Sequence, residues 1–209
     1  EMGVPASAIA FDDERFRAEG SNLTPTMLEV ADMAREKGRD DLLTHHERAK
    51  LDARSFPNGV HVTEVVIDPE TGVVTTDRYT VVDDFGNLIN PMLAEGQVHG
   101  GVAQGIGQAV QERVVYDEDG QLLTASFMDY ALPRATDLPN ITFMSEPVPS
   151  TANIMGMKGC GEAGTVGALA AISNAVQDAL WEHGVRQADM PFTPHKVWEL
   201  LNGDRIAAE

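Results

Sequence analysis

Val60-His61-Val62-Thr63-Glu64-Val65-Val66-Ile67 and Val73-Val74-Thr75-Thr76-Asp77-Arg78-Tyr79-Thr80-Val81-Val82 flank the segment Asp68-Pro69-Glu70-Thr71-Gly72. Both flanks are rich in β-branched residues, which suit a pleated surface better than a helix. The centre holds a proline and a glycine, which preset or permit the dihedrals of a turn. The pattern predicts a long hairpin. Because its strands pair with each other rather than across an intervening helix, the expected fold class is α+β, with antiparallel β-hairpins packed against Gly- and Ala-rich helices.

Outward from the hairpin toward the C-terminus, residues 83–91 read as a turn-rich loop and 94–114 as a buried, closely packed helix of small and apolar residues. Tyr116-Asp117-Glu118-Asp119-Gly120 is expected to turn between short strands, and Ile141-Thr142-Phe143-Met144 to form another strand. Residues 162–183 read as a long helix closed by Gly184 at C′, and Thr193-Pro194 caps a last short one. Toward the N-terminus, the runs 8–11 and 15–17 around Asp12-Asp13-Glu14 predict a short hairpin. Thr24 and Pro25 then supply an N-cap and first helical residue for a helix striped with Met27, Leu28, Val30, Ala31 and Ala34, ending near Gly38. Residues 39–58 are charged and aperiodic. The expected organisation is a hairpin plus helix over 1–38 from an upstream subdomain, a loop or linker over 39–58, and a C-terminal subdomain over 59–209.

The 209 residues, 43% of them hydrophobic, suffice for one sizeable core or two small ones. With Lys+Arg 15 against Asp+Glu 33, the net charge is -18, which repels phosphate backbones and anionic lipid, so nucleic acid is not an expected partner. Cys160 is the single cysteine. It excludes an internal disulfide, a Cys-built zinc site and an iron–sulfur cluster held by this chain alone. No run approaches the roughly 18 apolar residues of a membrane span and no leader is read, so a soluble protein is expected, and the single cysteine fits a reducing cytoplasm. Glu1 in place of an initiator Met predicts that the sequence begins inside a longer polypeptide.

The chemistry concentrates in two glycine clusters. In Met157-Lys158-Gly159-Cys160-Gly161-Glu162-Ala163-Gly164, glycines lead into a helix, where free N–H groups and the dipole favour an anionic ligand. Glu162, in the first turn, is either a positioned base or simply an acid that complements the helix dipole. The stretch 159–164 also fits G-x-G-x-x-G literally. A dinucleotide-binding reading requires a buried strand before it and an acid after a second strand, yet residues 150–156 are not β-branched and Asp178 falls inside the helix itself. The second cluster, residues 96–107, carries Gly96, Gly100, Gly101, Gly105 and Gly107 on a helix. At about 1 kcal/mol each relative to Ala, these glycines imply close helix packing or approach to a ligand, and the amides of Gln97 and Gln104 could hydrogen-bond a heteroaromatic edge. His45, His46 and His99 lack a metal-ligand spacing, and Cys160 lacks a histidine motif that would make it a nucleophile.

Taken together, the segments 55–59 (SFPNG), 65–72 (VVIDPETG), 82–86 (VDDFG), 89–91 (INP), 96–109 (GQVHGG with QGIGQA) and 158–164 (KGCGEAG) resemble the xanthine dehydrogenase, aldehyde oxidase and aerobic carbon monoxide dehydrogenase family. The likeness runs in unbroken order over residues 55–200 and is looser before. It implies the C-terminal portion of a molybdopterin-binding large subunit several times longer than this chain. It also implies a molybdenum–molybdopterin cofactor in a dinucleotide form. By resemblance, Glu162 takes the place of the family's catalytic glutamate and Gln97 that of a glutamine touching the pterin. Gly96, Gly100, Lys158 and Gly161 line the cofactor in the same matched motifs, although Lys158 could instead pair with a nearby acid.

The implied reaction is hydroxylation of an electron-poor carbon with oxygen from water, Glu162 taking the proton as general base. Electrons then pass to iron–sulfur clusters and FAD on partner chains or domains, since Cys160 alone holds no cluster. The expected partners are the remainder of the large subunit and the iron–sulfur and flavin subunits, within an oligomer of the complete enzyme. The isolated chain is expected to bind cofactor weakly and to be inactive. A non-catalytic cofactor-binding or scaffolding module of the same fold is the alternative from another class.

Overall fold

The computed structural model describes residues 2–48, 50, 51 and 53–206. The chain divides into two compact units, Glu1–Lys50 and Leu51–Glu209.

In the first unit, β1 (Ile9–Asp12) and β2 (Arg15–Ala18) pair antiparallel around Asp13 and Glu14, both at positive φ (47° and 58°). That conformation gives a two-residue turn the twist of its flanking strands. Phe11 and Phe16 face each other across the pair, ring centroids 4.8 Å apart. Helix α1 (Met27–Glu36) starts two residues later than the cap expected at Thr24-Pro25. Thr26 is the cap because Glu29 stands three residues on. The Thr26 hydroxyl accepts from the Glu29 N–H at 3.2 Å, while the Glu29 carboxylate accepts from the Thr26 N–H at 2.7 Å. This reciprocal capping box outcompetes a lone Thr-Pro signal.

In the second unit, β3 (Asn58–Ile67) and β4 (Val74–Asp84) form the long hairpin. Asp68 organises its turn, its carboxylate accepting from Glu70 N–H at 2.9 Å and from the Thr71 hydroxyl at 2.7 Å, with Gly72 at φ 72°. The third strand, β5 (Ile141–Ser145), joins β4 in parallel, Tyr79 opposite Ile141. The two hairpins are antiparallel as expected, and the parallel seat of β5 adds to them: a parallel neighbour needs a long crossover, and the connection from β4 to β5 includes a whole helix. The short strands expected about residues 117–120 reduce to one bridge, Tyr116 opposite Leu122.

That helix, α2 (Pro91–Val110), begins earlier and ends earlier than expected at 94 and 114. Asn90 caps it, accepting from Leu93 N–H at 3.1 Å, and Pro91 takes the first helical position, where its missing N–H costs nothing. At the other end the N–H groups of Gln111 and Glu112 both turn back to Gly107 O. Helix α3 (Ala163–Trp181) closes with Gly184 at φ 82°, Gly184 N–H donating to Trp181 O and Val185 N–H to Leu180 O. These are the two bonds of a Schellman motif. Helix α4 (Pro194–Ile206) follows.

The core is built from two rows at four-residue spacing, Ala94, Val98, Val102 and Ile106 on α2 and Ala168, Ile172, Val176 and Leu180 on α3, closed by Tyr79, Val81, Phe85, Phe192 and Val197. Each fully buried large aliphatic side chain contributes about 1.5–3 kcal/mol. No helix among the described residues is long and apolar enough to cross a membrane.

Candidate functional site

The glycine-rich helix has two kinds of glycine. A Cβ on Gly101 would stand 2.9 Å from Gly164 Cα and 2.9 Å from Thr165 N, and one on Gly105 would stand 2.5 Å from Ala168 Cβ. Both positions are therefore backbone-to-backbone contacts between α2 and α3. Thr165 ties the same crossing, its hydroxyl bonded to Gly101 O at 3.1 Å. Gly107 is likewise filled, with Pro133 Cγ 2.6 Å from where a Cβ would be. Gly96 and Gly100 instead face open space. So do Gly159 and Gly161 on the loop that leads into α3.

Gln97 connects the two open stretches. Its Nε2 donates to Gly161 O at 3.1 Å, across 64 residues of sequence. Glu162 follows immediately, with helical dihedrals (φ -109°, ψ -11°) and no bond from its side chain to the helix N–H groups. It is exposed, and its carboxylate has no hydrogen-bond or ion-pair partner among the described residues. The helix-capping use of this acid is thus not made.

The loop before Glu162 is held from below. Lys158 Nζ lies 2.5 Å from Asp84 Oδ2, both side chains nearly buried. Asp84 Oδ1 accepts from Gly86 N–H and from Val148 N–H, each at 2.9 Å, and Lys158 N–H donates to Phe85 O at 2.8 Å. The Lys158 ammonium first, and these N–H groups after it, lower the Asp84 carboxyl to about 2. Lys158 therefore faces Asp84, and its charge is engaged there. Gly86 at φ 62° allows the close pass, since a side chain there would strike the carbonyl of Gly156.

Beneath α3 lies a pocket of about 220 Å³ whose wall includes Asn58, Gly59, His61, Asp83, Glu162 and Val166. His61 and Asp83 were not singled out by the sequence. The available signal was a histidine among alternating valines, on the strand face that packs inward. His61 Nδ1 is 2.8 Å from the Tyr79 hydroxyl, and Nε2 is 3.6 Å from Asp83 Oδ1. His99 stands 3.9 Å from Glu95, and exposed His45 3.5 Å from Glu47. Cys160 is half-buried and packs against the core. No strand leads directly into the 159–164 glycines, only a single bridge between Gly86 and Met157, so the dinucleotide-binding reading lacks the buried strand it requires there.

Residues 1–139 match the family model described as the molybdopterin cofactor-binding domain. The chain belongs to that family. It is 40% identical over 152 residues to the 6-hydroxypseudooxynicotine dehydrogenase complex subunit gamma of Paenarthrobacter nicotinovorans, covering 72% of this chain and 19% of that one. With the carbon monoxide dehydrogenase large chain of Hydrogenophaga pseudoflava it shares 37% over 153 residues, 73% of this chain and 19% of the relative. Among solved structures, that of a Cu,Mo-CO dehydrogenase in its carbon monoxide reduced state superposes with a TM-score of 0.78 at 33% identity, covering 99% of this chain and 26% of that one. Quinoline 2-oxidoreductase from Pseudomonas putida 86 gives 0.76 at 31%, covering 96% and 26%. The chain thus spans about a fifth of the length of the curated relatives.

The arrangement fits the family's cofactor. Gly96 and Gly100 on one side and Gly159 and Gly161 on the other leave bare, open backbone around the Gln97–Gly161 bond, a cradle that side chains would fill.

Proposed function

We propose that this chain is the part of a molybdenum hydroxylase large subunit that cradles the molybdopterin cofactor and supplies Glu162 as general base. The single observation that carries this reading is the Gln97–Gly161 bond. It ties an amide from α2 to the backbone carbonyl that directly precedes Glu162 at the head of α3, and the Glu162 carboxylate has no partner among the described residues.

Gln97, Gly96, Gly100 and Gly161 would hold the cofactor, the glycines by allowing contact with backbone and Gln97 by its amide. Lys158 belongs to the scaffold, through Asp84. When bound, the cofactor supplies the two-electron redox chemistry. Glu162 accepts the proton lost when water-derived oxygen is delivered to the substrate carbon, a task suited to a carboxylate near neutral pH. Electrons leave to iron–sulfur and FAD groups on other chains or domains of the complete enzyme, which also completes the substrate pocket. Alone, residues 1–209 would bind cofactor weakly and show no hydroxylase activity.

The test is Glu162→Gln in the complete enzyme, which keeps shape and removes basicity. We expect kcat to fall by about two to four orders of magnitude with molybdenum content unchanged. Turnover within a few-fold of the parent would show that the chain only scaffolds the cofactor.

A further inference from the structure

The base proposed above stands over a polar cluster that its own role does not use. His61 on β3 and Asp83 and Tyr79 on β4 are almost wholly enclosed: 6% of the His61 side chain and 1% of the Asp83 side chain remain exposed. Burying three polar side chains where valines would pack lowers stability unless each finds a partner. Asp83 Oδ2 has none. Such an arrangement calls for a gain elsewhere.

The contacts show where that gain lies. A side chain at Gly167 on α3 would strike the His61 imidazole, and one at Gly59 would strike the Asp83 carboxylate. Gly167 lies just over one turn beyond Glu162, so α3 rests its first turns on the imidazole. His61 and Asp83 also share the pocket wall with Glu162. Both ring nitrogens face polar partners. The Tyr79 hydroxyl holds Nδ1 at 2.8 Å, the two rings meet edge-on at 89°, and Asp83 faces Nε2. Burial first, and the charge of Asp83 second, raise the Tyr79 hydroxyl above its ordinary range, which keeps it protonated and able to donate to Nδ1. A Tyr79 hydroxyl that donates to Nδ1 leaves the ring hydrogen on Nε2, toward the carboxylate.

We infer that His61, oriented by Asp83 and Tyr79, is a positioning residue that fixes the height of the head of α3 and thereby the placement of Glu162. This inference rests on Glu162 being the base. A misplacement of about 1 Å at a reacting group can reduce turnover about a hundredfold without weakening substrate binding.

The test uses the complete enzyme with His61→Val, Asp83→Asn and Tyr79→Phe, beside Glu162→Gln. We expect His61→Val to lower kcat by about ten- to a hundredfold, with KM within about twofold and molybdenum content unchanged. Tyr79→Phe, which keeps the ring, should give a smaller loss of the same kind and carries the test if His61→Val does not fold. A readout independent of turnover is the imidazole ¹⁵N spectrum of the cofactor-free protein. His61 should show one tautomer, protonated on Nε2, in the parent and a mixture in Asp83→Asn. Unchanged kcat with a lowered Tm in His61→Val and Tyr79→Phe would reduce the cluster to a structural role and overturn the inference. So would an unchanged tautomer in Asp83→Asn. If Glu162→Gln turns over normally, the base assignment fails instead, whatever His61 does.

Discussion

Gly100 and Gly101 are neighbours on one helix with opposite surroundings. Gly101 is buried against the backbone of Gly164 and Thr165, whereas Gly100 looks into open space beside the Gln97–Gly161 bond. The same split separates Gly105 and Gly164, packed, from Gly96, Gly159 and Gly161, open. For the glycines within the helices the intrinsic penalty is the same on both faces, about 1 kcal/mol each, so what offsets it must differ. On one face the return is closer helix packing within this chain. On the other, no packing contact among the described residues offsets it, which is the condition expected of a surface shaped for a ligand.

The largest effect expected from this contrast is at the packed face. Gly101→Val places three carbons where backbone already stands, and over-packing of this kind costs about 3 kcal/mol, the upper end of its usual range. For a chain of this size that lowers Tm by roughly 6–12 °C. Thermal unfolding followed by circular dichroism measures it. An unchanged Tm would mean that α2 and α3 are not in contact at Gly101, and the division into packed and open glycines would collapse.

The next effect concerns the loop that carries the open glycines. The Asp84 carboxyl is lowered from its ordinary value of 3.8 to about 2 by Lys158 and by the N–H groups of Val148 and Gly86. A depressed carboxylate adds stability that is complete above its unfolded pKa and is lost as pH falls through the folded one. The window therefore runs from about 4 down to about 2. Lys158→Met removes the largest cause and should narrow that window. Its Tm should fall relative to the parent near neutral pH, and the two should converge in acid. A constant difference at every pH would show that Lys158 acts through packing alone.

How much of this was legible beforehand follows from the range of each interaction. The hairpin 58–84 could be read because its strands, turn residues and pairing partner are all local, and α3 with its Gly184 closure for the same reason. The parallel seat of β5 could not, since register with β4 is set by a crossover of more than fifty residues and leaves no periodic mark. The glycine cluster was readable as an anomaly of about 1 kcal/mol per residue, but not which glycines were packed, because that depends on the facing helix. Gln97 and Glu162 stand out locally as an amide on a glycine-rich helix and an acid at a helix start, but only the motifs of a family resemblance select them over the alternatives. His61 and Asp83 were passed over: alternation marks position 61 as inward-facing but says nothing of the carboxylate 22 residues away that it meets.

The smallest effect is the sharpest, because two readings of it oppose each other. Gly100→Ala adds a methyl group to an exposed helical position with no atom within 4 Å beyond its own stretch of helix. Taken alone, the chain should gain about 0.5–1 kcal/mol, from better helix propensity and a less flexible unfolded state. In the complete enzyme the same methyl group would stand where the proposed cofactor approaches the backbone, so molybdenum content should fall although the protein is more stable. Stability and cofactor occupancy normally move together, since a ligand that binds only the folded state stabilises it. Their separation at Gly100, set against a plain loss of stability one residue on at Gly101, would arise only if the open face of α2 is shaped by something outside this chain. A variant that is both more stable and fully loaded would remove Gly100 from the cradle and leave Gly96 and Gln97 as the contacts that α2 contributes.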